Sequence, residues 1–239
     1  MRRKQDIIPI AILIGAMVVM NVLNGQYSDF KTWIFTELMM LPGIVIGLSF
    51  HEYAHGIASY LCGDPTPKEQ GRLTINPAAH MDIMGFICLL FAGFGWGIPV
   101  QIDPRNYKHR RLDEMLVAFA GVAMNFLIAV ICSFILHWIV NSNNAFFVST
   151  TGSVIIEIIQ YIVMINVVLM VFNLLPVPPL DGFGIITQIF NLEKYSWYPK
   201  VYNSGFIILM VLILFNVTSQ VLMPCISVVE TWLTNVIIY

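Results

Sequence analysis

Two histidines and a glutamate stand within five residues of one another, His51-Glu52-Tyr53-Ala54-His55, inside an otherwise apolar run, "GIVIGLSFHEYAHGIASYL" (Gly43 to Leu61). The spacing fits H-E-x-x-H. On a helix, positions i and i+4 share a face, so both imidazoles can reach one metal ion. Glu52 beside them can take a proton from water that such an ion has made more acidic. Two histidines, a third protein ligand and an open position make up a catalytic zinc site. The plain alternative is a pair of histidines that bridge neighbouring helices through hydrogen bonds. That alternative leaves Glu52 unexplained. An ionisable group at the centre of a membrane helix costs about 2.5–3.5 kcal/mol on insertion scales, and such groups are functional by default.

The candidate third ligand lies in "FNLLPVPPLDGFG", Phe172 to Gly184, where Asp181 is the only carboxylate between Ile158 and Leu192. Pro176, Pro178 and Pro179 end the preceding helix and force an irregular turn. Gly182 gives the backbone freedom there. Such a turn can fold a carboxylate back onto a neighbouring helix. An ordinary helix-ending loop with a solvated Asp is the competing reading, and the elements that carry these residues decide between the two.

Of the 239 residues, 58% are hydrophobic and 11% charged, against about 25% charged in a soluble domain. Mean hydropathy is +0.78. These values specify an integral membrane protein. A net charge of −2 gives no reason to expect a nucleic-acid partner. The four cysteines (Cys62, Cys88, Cys132, Cys225) form no C-x-x-C pair, so they read as free thiols. The basic start and apolar run "MRRKQDIIPIAILIGAMVVMNVLNG" are followed by no small-x-small cleavage site, so they read as a retained first helix.

Five segments are long enough to span a bilayer: Ile7–Leu23, Trp33–Cys62, Met115–Val140, Val154–Leu175 and Val201–Val217. A sixth, Gln220–Tyr239, is weakened by Pro224 and Glu230. The stretch "IMGFICLLFAGFGWGIPV" (Ile83 to Val100), with Gly85, Gly93, Gly95, Gly97 and Pro99, is poor helix material. With Arg2, Arg3 and Lys4 in the cytoplasm, eleven of the twelve Lys and Arg fall on that side and only Lys31 lies outside. A full span at 83–100 would export "PRNYKHRRLDE". The stretch is therefore expected to dip in and return, packed where protein or a water-filled cavity satisfies its backbone. In this topology the second and fourth helices both run inward. His55 is seven residues from Cys62, roughly 10 Å at 1.5 Å per residue, so His51, His55 and Asp181 are expected at similar depth near the cytoplasmic face.

"HEYAH" in the second span with "NLLPVPPLDG" after the fourth resembles the site-2 protease family of intramembrane zinc metalloproteases, peptidase family M50. "GRLTINPAAHMDIMGF", "FGWGIPVQIDPRNY" and "AGVAMNFLIA" are similar to its compact bacterial branch, which lacks PDZ and CBS domains. The resemblance covers about residues 44–192. It implies one Zn2+ held by His51, His55 and Asp181, with Glu52 as catalytic base and Asn173 as a helper that holds the oxyanion or the substrate backbone. It makes Asn125 a candidate substrate-side group, for which a simple interhelical hydrogen bond is an equal alternative. The stretch "IPVQID" (residues 98–103) departs from the more usual "KPVPV" followed by an acid or Asn. His80 could line a water entry, cap the open zinc position, or sit as a surface histidine that orders the dip. Glu157 and Glu230 read as solvated groups near the membrane boundaries.

The expectation is an all-α polytopic membrane protein of five or six transmembrane helices, with a re-entrant or β-like segment near 83–100. Residues 1–239 read as one domain with a catalytic core of about 33–192. It sits in a bacterial or archaeal cytoplasmic membrane and cuts the transmembrane segments of other membrane proteins. Intramembrane His, Glu and Asp also mark transport pathways, but the repeated, broken helices of transporters are not visible. A zinc-binding pseudoprotease would not need Glu52.

Overall fold

The computed structural model describes residues 4–25, 27, 29–92, 95–142 and 145–238. Arg2, Arg3 and Gly93, which entered the topology and the dip, lie outside the described residues.

Helix α1 covers Lys4–Leu23. Asp29 opens α2 (Phe30–Leu61) by accepting hydrogen bonds from the Thr32 backbone N–H (3.2 Å) and hydroxyl (2.5 Å), which satisfies donors a helix start leaves free. Helix α3 is Ile83–Ala92 and α4 is Arg110–Asn141. Ser149 caps α5 (Thr150–Asn173) by accepting from Gly152 N–H (3.2 Å). Helix α6 (Asp181–Phe190) ends at Asn191, whose φ of 53° is left-handed. Helices α7 (Tyr198–Leu214) and α8 (Val217–Leu233) follow, and α8 continues as a π-helical turn, Thr234–Ile238.

Among the described residues, four helices are long and apolar enough to cross a membrane: α2, α4, α5 and α8 with its π turn. Large side chains such as Trp138, Phe215 and Val228 stand 64%, 70% and 69% exposed, which places apolar surface where lipid contacts it. The chain is an all-α, multi-pass membrane protein. The expected weak sixth segment is among the four long helices. Pro224 falls inside α8 without ending it, as membrane helices tolerate when neighbours satisfy the freed groups. The expected fifth span is instead the shorter α7, of 17 residues.

The dip corrects the expectation of poor helix material. Its first half is α3, because Asp82 accepts from Gly85 N–H (2.8 Å) and supplies a cap. Gly85 is there for close approach: a Cβ would fall 2.1 Å from the Trp96 carbonyl oxygen. The described residues of the second half, 95–100, form no strand and make one bridge contact. Gly97 pairs with Met81 in an isolated antiparallel bridge, and Ile98 N–H donates to His80 O (2.7 Å).

Helices α2, α4 and α5 pack against one another as the centre of the fold, and α6 lies on α4. Gly43 and Gly47 let α2 approach α5. A Cβ on Gly47 would meet Leu169 Cδ1 at 2.6 Å, and one on Gly43 would meet Tyr161 O at 3.0 Å. This is the small-x-x-x-small mode of membrane helix packing. Val122, Ala129, Val163, Val167 and Met170 fill the α4–α5 seam and reach Leu222 and Ile226 of α8.

Candidate metal centre

His51 and His55 project from one face of α2, one turn apart, and Asp181 is the first residue of α6. The turn before α6 is tight. A Cβ at Gly182 would lie 2.2 Å from Leu174 O, so glycine alone lets the chain fold back and aim Asp181 at α2. His51 Nε2 is 3.2 Å from Asp181 Oδ2, His55 Nε2 is 3.4 Å from Asp181 Oδ1, and the two Nε2 atoms are 3.0 Å apart.

The hydrogen bonds behind the rings fix their tautomers. His55 Nδ1 lies 2.7 Å from Val117 O, a carbonyl that can only accept, so Nδ1 carries the proton. His51 Nδ1 lies 2.6 Å from Asn125 Oδ1. Asn125 cannot be flipped, because its Nδ2 donates to Gly47 O (3.1 Å) and to Asn166 Oδ1 (2.9 Å). Asn166 is fixed in turn, its Nδ2 donating to Ile162 O (2.8 Å). With Nδ1 protonated on each, a neutral ring turns its Nε2 lone pair toward the same point, beside a carboxylate. Two lone pairs and an anion within 3.4 Å repel unless a cation lies among them. Asp181 Oδ2 is buried without a hydrogen-bond partner. The donor set, two imidazoles and one carboxylate within 4.8 Å of each other, suits zinc.

Gly121 of α4 forms the wall behind this point. A Cβ there would meet His51 Cε1 and His55 Nε2 at 2.6 Å. Glu52 Oε2 accepts from Val100 N–H (2.8 Å), on the extended segment after α3. That segment is pinned from the aqueous side by Asp64, which is buried and accepts from Ser59 Oγ (2.9 Å), Thr66 Oγ1 (2.6 Å), Asp103 N–H (2.8 Å) and Asn106 Nδ2 (2.9 Å). Burial alone would raise the Asp64 pKa. The donors from Thr66, Asp103 and Asn106 outweigh it and bring the value down to about 2. Tyr107, whose hydroxyl is 2.9 Å from Ser59 Oγ, is pushed up to about 12, first by burial and then by the charge of Asp64 among others.

His51, Glu52, His55, Asn173 and Asp181 line one cavity of about 700 Å³, together with Val100 and Pro179. Asn173 ends α5, lines the cavity and donates its Nδ2 to Leu169 O (2.9 Å). Asn125 is fully buried behind His51, where its side chain joins α4 to α2 and α5 by hydrogen bonds. His80 is also fully buried and is not a surface histidine. Its Nε2 is 2.7 Å from Thr74 O and its backbone carbonyl accepts from Ile98 N–H, outside the lining of the cavity. Glu157 and Glu230 share a separate depression on the far side of the molecule with Gln160 and Tyr161.

Gly121, Asn166, Val100 and Asp64 escaped the sequence reading. Two faint signals were present. A lone Asn in "VMINVVL" is costly in a membrane helix without a partner. Gly121 stands four residues before Asn125, on the same face of α4.

The family model described as peptidase family M50 matches residues 39–216. "Putative zinc metalloprotease YwhC" of Bacillus subtilis is 35% identical over 199 residues, covering 82% of this chain and 90% of that protein. Rip2 of Mycolicibacterium smegmatis, named in the same words, is 27% identical over 181 residues, covering 74% and 67%. Rip2 of Mycobacterium tuberculosis is 23% identical over 222 residues, covering 89% and 83%. No solved structure gives a significant match.

Proposed function

Given that the chain belongs to peptidase family M50, a zinc metalloprotease of the site-2 type, we propose that it hydrolyses peptide bonds within or beside the transmembrane segments of other membrane proteins. His51, His55 and Asp181 are the zinc ligands and Glu52 is the general base. One observation carries this assignment: two Nε2 atoms, oriented by Asn125 and Val117, converge on the Asp181 carboxylate, whose Oδ2 has no hydrogen-bond partner.

Zinc bound there supplies Lewis acidity, polarising a peptide carbonyl and making water a better acid. Glu52, one residue from a ligand and open to the same cavity, takes the proton and returns it to the leaving amine. The Val100 N–H holds one of its oxygens and leaves the other for that transfer. Asn173 reaches into the cavity to hold the oxyanion or the substrate backbone. A helical substrate must unwind before cleavage, and the extended residues 97–103 offer an edge on which an unwound strand can lie.

Residues 1–239 form one membrane domain with its catalytic core at about 33–192. The charge bias supports a cytoplasmic N-terminus and an active site near the cytoplasmic face of the cell membrane. The test is zinc per mole of purified protein together with cleavage of a model membrane substrate by wild type and Glu52→Gln. Stoichiometric zinc in both, with cleavage only in wild type, supports the proposal. Zinc-free protein, or a mutant that still cleaves, refutes it.

A further inference from the structure

A second cavity, of about 660 Å³, runs between the half of α2 that precedes His51 and the 164–169 stretch of α5, with Leu89 and Gly95 of the dip on its third side. Its α2 wall is Trp33, Glu37, Met40, Ile44 and Leu48, a stripe at helical spacing that continues one turn on to Glu52. Its α5 wall ends at Leu169, one turn before Asn173 and the acceptor of that residue's side-chain hydrogen bond. Both walls therefore point along their helices toward the residues that line the metal-centre cavity.

Its far end is acidic and aromatic. Asp29 is engaged with Thr32. Glu37 takes part in no ion pair among the described residues. Trp33, buried beside Glu37 and within hydrogen-bonding reach of its carboxylate, packs with Tyr27, Phe30 and Phe91 at ring-centre distances of 5.1, 5.5 and 5.4 Å. A carboxylate at the wall of an apolar groove is costly unless a cation meets it, and aromatic faces add to the attraction for one. Lys31, the only base on this part of α2, does not line the groove.

Resting on the proposed proteolysis, we propose that this groove seats the transmembrane helix of the substrate, and that Glu37 selects substrates with a Lys or Arg near the end farthest from the cut. Glu37 and His51 are fourteen residues apart on α2, about 21 Å along the axis at 1.5 Å per residue. Bases are scarce on the outer side of membrane helices, so a carboxylate at that depth discriminates among spans that hydrophobicity alone does not separate.

The probe is a single-span Leu/Ala peptide with a photo-crosslinking residue at its centre and Lys, Gln or Glu about fourteen residues away, matching that 21 Å separation. It is reconstituted with the full-length protein in vesicles of zwitterionic lipid. The Lys peptide is expected to crosslink to Leu48, Met164 and Val168. Labelling should fall about tenfold for the Gln peptide, or for the Lys peptide with Glu37→Gln, and return when Glu37→Lys meets the Glu peptide. Crosslinks outside the groove, or labelling that ignores the charge, overturn the inference. Zinc content and the Glu52→Gln cleavage assay are scored separately. Charge-dependent labelling without cleavage would refute the protease reading alone, and cleavage without charge dependence would refute this one alone.

Discussion

Asn125 places its Oδ1 2.6 Å from His51 Nδ1 while its amide nitrogen is held by Gly47 O and Asn166 Oδ1. A fully buried side chain on α4, locked by one on α5, thus decides which nitrogen of a histidine on α2 is free. Removing that hold leaves the imidazole able to rotate and to take the other tautomer. Asn125→Ala is expected to weaken zinc binding about 10–100-fold, the usual range for a lost orienting partner. Asn125→Asp, which keeps the acceptor, should recover part of the loss. Competition with a chelator measures both, and an unchanged affinity in the Ala variant would show that His51 needs no orientation.

Gly121 leaves no room for a methyl group beside the two imidazoles. Gly121→Ala should reduce bound zinc to less than about a tenth while the helical circular dichroism stays native, because rearranged rings cost the site and not the fold. Full zinc occupancy in that variant would mean that α4 can retreat.

The main-chain donor to Glu52 predicts a different signature. Val100→Pro deletes the N–H that holds Oε2. Zinc content should stay at one per chain while kcat drops about 10–100-fold, a fraction of the 10²–10⁴ that general-base catalysis supplies. Added to Glu52→Gln, the same change should cost almost nothing further, since the two act through one group. Losses that simply add would separate Val100 from the base.

Asp64 titrates on the aqueous side. Its carboxyl stands at about 2 in the folded protein against an ordinary 3.8. A lowered pKa means stability that is fully present above about pH 4 and disappears as the pH falls through about 2, with a magnitude on the order of 2 kcal/mol. Unfolding in detergent, followed from pH 5 to pH 2 for wild type and Asp64→Asn, should show the two curves converging in that window. Parallel curves would count against the network.

The candidate metal cluster was legible because H-E-x-x-H carries its own geometry: one turn of helix aligns the two histidines whatever surrounds them. Asp181 was legible through topology, since charge bias put it level with His55. The rings' orientation was not, because it depends on which side chains of α4 and α5 face α2, and periodicity in a uniformly apolar helix does not mark a face. The dip was misread in its first half for a local reason. Counting glycines over 83–100 hid the fact that most of them follow Ala92, while Asp82 supplies a cap for a helix before them. Pro224 was likewise read as a break in a helix that absorbs it.

The contact between Val100 and Glu52 is made by a peptide group, not a side chain. Every residue except proline brings the same N–H to position 100, so the strap can accept substitutions at Ile98, Gln101 and Ile102 without moving the base. "IPVQID" keeps Pro99-Val100 at the point of contact and differs from the more usual pattern only around it. On the proposed mechanism the segment meets two separate demands: its backbone holds Glu52, while its side chains stay free to vary.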